Sequence, residues 1–167
     1  MSFSLGNTKI KEMYLGSTKI KEAYLGSTLI FKLDAGGYDS YKVHITWSSN
    51  DNFNMAGVKI NGVQATSSEV TSIWFNNGGW TQLSSTDVAS AIDWSNNNGK
   101  SVYGTAIDIN LEPANPITSV QIHTGLWYGG GSMAVTIHLA GVKNGVETDL
   151  GYTSGTNSND KTYTISV

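Results

Sequence analysis

Cysteine and arginine are absent from this 167-residue sequence, and only two prolines and three histidines occur. Without cysteine, the chain can form no disulfide, thiolate metal site or cysteine nucleophile. All ten basic residues are lysines, and the formal net charge is −3. Proteins that bind nucleic acid contact phosphates with cationic side chains and favour the guanidinium group, so we expect no nucleic-acid partner.

Long hydrophobic runs are also missing. No stretch approaches the roughly 20 apolar residues that a membrane-spanning helix needs. The first residues, Met-Ser-Phe-Ser-Leu-Gly-Asn-Thr, lack the apolar centre of a signal peptide. We therefore expect a soluble protein that has no export signal and no membrane partner.

The residues that are present favour β-structure. Gly, Ser, Thr and Asn together account for 71 residues, and 10% of the chain is aromatic. In the segment Tyr41–Trp47, apolar residues alternate with polar ones, which is typical of a half-buried strand. Short segments of this kind recur between polar turns. The sequence therefore predicts an all-β protein with an antiparallel β-sandwich, of the jelly-roll or carbohydrate-binding-module type.

Local signals mark two hairpins and one helix within this sandwich. Asn61-Gly62 and Asn144-Gly145 tolerate the positive φ angles of a type I′ turn, and each lies between strand-like segments. The only helix signal covers residues 85–92, where a Ser or Thr can cap the first turn. The polar residues 48–54 read as a loop.

The beginning of the chain is a repeat of three ten-residue units. They are LGNTKIKEMY from residue 5, LGSTKIKEAY from residue 15 and LGSTLIFKLD from residue 25. Each unit combines a turn signal with a short strand-like segment. Residues 1–32 carry a net charge of +3 and residues 33–167 a net charge of −6. We predict a repeat segment over residues 1–36 and a sandwich domain over residues 37–167, with the boundary near a Gly-Gly pair.

Such short strands are marginal by themselves in water, so the repeat segment must dock on another surface. That surface is either the sandwich of the same chain or another chain. Near-identical strands offer near-identical edges, which suit repeated or symmetric pairing. The predicted attachment and oligomerisation residues are the recurring apolar and aromatic ones: Leu5, Ile10, Tyr14, Leu15, Ile20, Tyr24, Leu25 and Ile30.

The pattern of residues 9–31, KIKEMYLGSTKIKEAYLGSTLIF, resembles short N-terminal repeats of tail-fibre, head-fibre and baseplate proteins of tailed bacteriophages. In those proteins the N-terminal element attaches the molecule to the particle, and a β-rich domain faces outward. The resemblance implies a structural protein exposed on the virion, which contacts other virion proteins through residues 1–32. It also implies a homo-oligomer, with a trimer favoured.

Catalytic and metal sites are weakly supported. The three histidines, His44, His123 and His138, lie at polar positions of strand-like segments, and no two of them have metal-ligand spacing. The acidic residues considered for glycoside hydrolysis, which are Asp87, Asp93, Asp108 and Glu112, carry no sign of pairing. We therefore predict no catalytic residue, no metal ligand, no cofactor and no enzymatic activity.

Calcium is an alternative, because two segments are rich in oxygen donors. One contains Asp51 with Asn50, Asn52 and Asn54, and the other contains Asp160 with Asn157 and Asn159. Calcium takes six to eight oxygen ligands, and each segment has only one carboxylate. A structural calcium ion is therefore a secondary prediction.

Aromatic residues near turns are the strongest functional signal. Trp80 follows the Asn-Asn-Gly-Gly turn, Trp94 precedes a polar loop, and Trp127-Tyr128 abut a run of glycines. Exposed rings stack on the C–H faces of sugars, and neighbouring polar groups bind their hydroxyls. Tryptophan also fills sandwich cores and subunit interfaces. Trp127, Tyr128, Trp80 and Trp94 are the predicted ligand-binding residues, with Trp127 the strongest candidate, and the ligand is a host cell-surface polysaccharide.

Taken together, the residues and the resemblance favour a non-enzymatic virion component. Its repeats anchor it, and its sandwich adheres to host glycans. A free-standing carbohydrate-binding module without a virion role is the alternative.

Overall fold

The structure is a computed structural model that describes residues 37–95, 99–125, 133–156 and 160–167, together with the backbone of short strands between residues 4 and 32. The chain divides into two compact units, Met1–Tyr38 and Asp39–Val167. Among the described residues, no helix has the length and apolar character needed to span a membrane.

The first unit contains six short strands. They are β1 (Ser4–Leu5), β2 (Thr8–Lys9), β3 (Tyr14–Leu15), β4 (Thr18–Lys19), β5 (Glu22–Leu25) and β6 (Thr28–Lys32). They pair in order as three antiparallel two-stranded hairpins. Each hairpin sets the Leu and Thr of one repeat motif opposite each other: Leu5 and Thr8, Leu15 and Thr18, Leu25 and Thr28. The ten-residue repeat of the sequence therefore corresponds to one hairpin every ten residues.

Most of the predicted attachment residues fall on these strands. Leu5, Tyr14, Leu15, Tyr24, Leu25 and Ile30 lie within β1, β3, β5 and β6. Ile10 and Ile20 lie outside the described residues.

The second unit is a nine-stranded antiparallel sheet with one short helix. Its elements are β7 (Ser40–Ile60), β8 (Val63–Gln64), β9 (Val70–Asn76), β10 (Trp80–Gln82), α1 (Ser85–Ile92), β11 (Lys100–Leu111), β12 (Ser119–Thr124), β13 (Ala134–Lys143), β14 (Val146–Thr156) and β15 (Lys161–Ser166). The strand order is β10-β9-β11-β7-β12-β15; in addition, β13 pairs with β7 and with β14. The predicted all-β, sandwich-like fold is confirmed.

Strand β7 runs through the middle of this sheet. Its first half pairs with β11 and β13, and its second half pairs with β11 and β12. Thr46 is opposite Ala106 and Asp51 is opposite Gly104, so four residues of β7 bulge opposite a single residue of β11. The polar loop predicted over residues 48–54 is therefore wrong: residues 48–50 belong to the bulge, and residues 51–54 pair with β11 as the strand continues.

Along the first half of β7 the core lies on one face of the sheet and follows the predicted alternation, whereas along residues 53–58 both faces are buried. Tyr41, Val43, Ile45 and Trp47 are all buried, as are the inward residues of β11 and β13. Lys42, His44 and Thr46 lie between them and are partly exposed. Strand periodicity therefore leaves a polar outer face on the first half of β7.

Both predicted hairpin turns are confirmed. Asn61 and Gly62 have φ angles of 53° and 81°, and Asn144 and Gly145 have φ angles of 51° and 77°. These turns join β7 to β8 and β13 to β14. The second hairpin brings β14 alongside β13, which widens the outer face by one strand.

The predicted helix is confirmed at Ser85–Ile92, and its N-terminus is capped by Ser84. The Ser84 hydroxyl oxygen accepts a hydrogen bond from the Asp87 backbone N–H at 3.2 Å. Lys100 Nζ donates to Asp87 Oδ1 at 2.7 Å. The hydrogen bonds from Lys100 and then Ser84 lower the pKa of the Asp87 carboxyl group. The cap and this ion pair fix the helix against the start of β11.

Tyr163 provides a test of the packing between β12 and β15. The side chain is 3% exposed, and its hydroxyl has no hydrogen-bond partner among the described residues. Burial raises the pKa of Tyr163 from 10.0 to about 12. Because the folded-state pKa is above the unfolded-state value, this tyrosine contributes stability below pH 10 that is lost as the pH rises towards 12.

We predict that Tyr163→Phe raises the free energy of unfolding at neutral pH by about 1 kcal/mol, because it removes an unpaired buried hydroxyl. The variant should also lose less stability than the wild type between pH 10 and 12. Urea unfolding of both proteins at neutral and alkaline pH measures the two effects. A variant that is less stable at neutral pH would show that the hydroxyl has a partner.

Candidate functional site

The outer face of the sheet carries a row of functional side chains across five neighbouring strands. His44 on β7 lies directly opposite Asp108 on β11 and His138 on β13. Asp108 is in turn opposite Trp74 on β9, and His138 is opposite Tyr152 on β14. All five positions have the same parity, so their side chains project from the same face.

A groove includes the three middle residues of this row and extends along the strands towards the β13–β14 turn. Its volume is about 500 Å³, and its lining residues are Lys42, His44, Asp108, His138, Ala140, Glu147 and Asp149. We call it the outer groove. Six of the seven lining residues are ionisable, whereas Ala140 offers only a methyl group. The groove therefore combines ionisable head groups with the hydrocarbon stems and ring carbons of the same side chains.

The polar groups of the groove are arranged in pairs. Lys42 Nζ donates to Glu147 Oε1, and His44 Nδ1 is hydrogen-bonded to Asp108 Oδ1. His138 Nδ1 lies 3.8 Å from Asp149 Oδ1. Each histidine thus turns Nδ1 towards a carboxylate, which orients its ring and leaves Nε2 as the nitrogen that a ligand would meet.

Exposed aromatic rings flank the groove on two sides. Trp80 is 46% exposed, and its ring centroid lies 6.4 Å from that of His44. Tyr152 is 65% exposed and stacks on His138 at 5.3 Å with an interplanar angle of 23°. The row from Asp108 to Tyr152 covers three interstrand spacings, or about 14 Å. That length, with a ring near each end, suits an elongated ligand.

Trp80 depends on a close backbone approach for its position. A Cβ atom on Gly104 would lie 2.1 Å from the carbonyl oxygen of Asn76. Asn76 ends β9, and Trp80 begins β10 after the turn. Only glycine at position 104 therefore allows the β9–β10 turn to lie this close to β11.

Trp94 has a different environment from Trp80. Its ring lies over the second half of β7, where a Cβ atom on Gly57 would be 2.8 Å from Trp94 Cε3. The ring stacks on His123 at 5.0 Å, and Lys59 Nζ lies 4.0 Å from its centroid. Trp94 is half-buried and packs the loop after α1 onto the sheet. It does not line the outer groove.

Of the two predicted ligand-binding residues that the structure describes, Trp80 thus lies beside the groove and Trp94 does not. Trp127 and Tyr128 lie outside the described residues. His123, in contrast to the other histidines, is buried: its Nδ1 lies 3.2 Å from Thr162 Oγ1 and its Nε2 3.2 Å from Asp160 Oδ1.

The metal predictions find little support in the geometry. Within the described parts of the chain, no group of three or more histidine or acidic side chains is placed to hold a metal ion. Asp51–Asn54 belong to β7, and Asp51 Oδ1 accepts a hydrogen bond from the Asn52 backbone N–H. Asn157 and Asn159 lie outside the described residues, so the second calcium segment stays a prediction.

Sequence reasoning missed the groove as a whole. His44, Asp108 and His138 were each interpreted separately, and Lys42, Glu147 and Tyr152 were not predicted as site residues. The signal available in the sequence was that these residues occupy outward-facing positions of their strands. The strand register, which the sequence does not specify directly, decides which outward-facing residues become neighbours.

Comparison with known proteins gave no match to any family model, curated protein or solved structure.

Proposed function

We propose that the protein is a non-enzymatic structural component of a tailed-bacteriophage virion that binds host-surface glycans through the outer groove. The observation that supports glycan binding is a groove lined by ionisable side chains, with the exposed rings of Trp80 and Tyr152 beside its two histidines, His44 and His138. Aromatic rings stack on the C–H faces of sugars, while carboxylates and imidazoles bind hydroxyl groups. The rigid sheet below holds these groups in place, which lowers the entropic cost of binding.

The proposed attachment to the virion is supported by the first unit. Its three hairpins follow the three sequence repeats, and the basic charge of residues 1–32 contrasts with the acidic remainder of the chain. Repeated hairpins present several equivalent edges, which suit a partner that offers equivalent sites. Other virion proteins and further copies of this chain are such partners.

Glycan binding is tested with the full-length chain on an array of bacterial envelope polysaccharides. We expect retention on a restricted set of glycans and no release of reducing sugar from them. A flat response would contradict glycan binding, and released sugar would contradict the non-enzymatic assignment. Binding without association with any phage particle would favour the free-standing carbohydrate-binding module.

Attachment is tested by deleting residues 1–32. The remaining chain keeps the whole buried core of the second unit, so we predict that it stays folded. Light scattering should show an oligomer for the full-length chain, with a trimer favoured, and a monomer for the truncated chain. If the truncated chain forms an oligomer with the same number of subunits as the full-length chain, a role for the repeats in assembly is contradicted.

A further inference from the structure

The outer groove is acidic. Its lining holds three carboxylates, Asp108, Glu147 and Asp149, and one lysine, Lys42. With both histidines neutral, the formal charge of the groove is therefore −2. Residues 33–167 carry a net charge of −6, so the long-range field of the domain has the same sign.

The most accessible of these acids lie on β14, at the Tyr152 end of the groove. The side chains of Glu147 and Asp149 are 50% and 65% exposed. Asp149 Oδ1 accepts a hydrogen bond from the Gly151 backbone N–H at 3.1 Å, which orients the carboxylate. His138 contacts both Asp149 and the exposed ring of Tyr152. The Asp149 carboxylate and the Tyr152 ring therefore lie beside the same histidine on the β14 side of the groove.

This combination is suited to a cation. A carboxylate forms charge-assisted hydrogen bonds with an ammonium group, and the face of a tyrosine ring attracts a cation. Lys42 and Glu147 offset each other, because they form an ion pair. The carboxylates of Asp108 and Asp149 therefore account for the net negative charge of the groove. An anionic sugar would thus meet carboxylates without a free lysine to offset them.

We infer that the outer groove selects glycans that carry a protonated amino sugar, whose ammonium group lies against Asp149 and the Tyr152 ring. This inference rests on the proposed glycan-binding function and adds the chemical class of the ligand. Sugars that bear carboxylate or phosphate groups are excluded by the same charges.

The test compares three oligosaccharides of equal length with the full-length chain by titration calorimetry at neutral pH. They are a glucosamine oligomer, its N-acetylated counterpart and a uronic acid oligomer. We expect the amine-bearing oligomer to bind about tenfold more tightly than the N-acetylated one, as one charge-assisted hydrogen bond would give. The uronic acid oligomer should not bind.

Asp149→Asn should reduce this preference several-fold. Glu112→Gln is the matched control, because it removes the same charge from an exposed acid at the end of β11, outside the groove lining. An oligolysine peptide forms a further arm, since it supplies ammonium groups without sugar rings, and it should not compete for the site.

The outcomes separate this inference from the proposed function. If no oligosaccharide binds here or on the array, the glycan-binding function is contradicted as well. If glycans bind without a preference for the amine, or if Asp149→Asn and Glu112→Gln have equal effects, only the inference is overturned. Competition by oligolysine would likewise overturn it, because the ligand would then be any amine.

Discussion

Replacing both Trp80 and Tyr152 with alanine should lower glycan affinity about a hundredfold and leave the sandwich folded. Each ring is about half or more exposed, so its removal opens no cavity in the core. Stacking a sugar on one aromatic face contributes about 1 to 2 kcal/mol, which corresponds to roughly tenfold in affinity. The rings lie on different sides of the groove, so their effects should add.

Titration with a glycan selected from the array measures the loss for each single variant and for the pair. Tyr103→Ala is the matched control, because Tyr103 is 47% exposed, almost the same as Trp80, and is paired with Asn52 on the second half of β7, beyond the bulge. We expect this control to bind like the wild type. Equal losses in all the variants would show that the effect is general to exposed rings and unrelated to the groove.

Gly104→Ala should reduce the free energy of unfolding by about 3 kcal/mol, at the upper end of overpacking effects. The added Cβ atom would lie 2.1 Å from the Asn76 carbonyl oxygen and 2.9 Å from its carbonyl carbon. Both are backbone atoms, so rotation of a side chain cannot relieve the clash. Instead β9 must move away from β11, which breaks ladder hydrogen bonds and displaces Trp80.

Gly79→Ala is the control for this substitution. Gly79 belongs to the same β9–β10 turn, yet a Cβ atom there would meet no atom within 4 Å. Urea unfolding of the two variants should therefore give a large loss for Gly104→Ala and almost none for Gly79→Ala. A loss of similar size in both would mean that the turn, and not its approach to β11, sets the stability.

Features that depend on neighbouring residues could be predicted from the sequence. The inward alternation of Tyr41–Trp47, the Asn-Gly turns at 61–62 and 144–145, and the helix at residues 85–92 all depend on local chemistry. In each case the side chains or φ angles that the local structure requires are encoded within a few residues.

Features that depend on register could not be predicted in this way. The distinction between Trp80 and Trp94 rests on which part of β7 each ring covers, and both residues simply follow or precede a turn in the sequence. The groove needs His44, Asp108 and His138 on adjacent strands, and a shift of one residue would send one of them to the opposite face. The bulge of β7 was missed because polar residues in a strand resemble a loop.

The most direct test of glycan binding at the outer groove uses the three histidines as site-specific reporters. His44 and His138 line the groove, while His123 on β12 is buried beside Trp94. The measurement is an NMR titration of the imidazole resonances of the full-length chain with a glycan selected from the array. We predict that the His44 and His138 resonances shift together with saturation, while those of His123 stay unchanged. A shift confined to His123, or saturable glycan binding that leaves all three histidines unperturbed, would contradict this prediction.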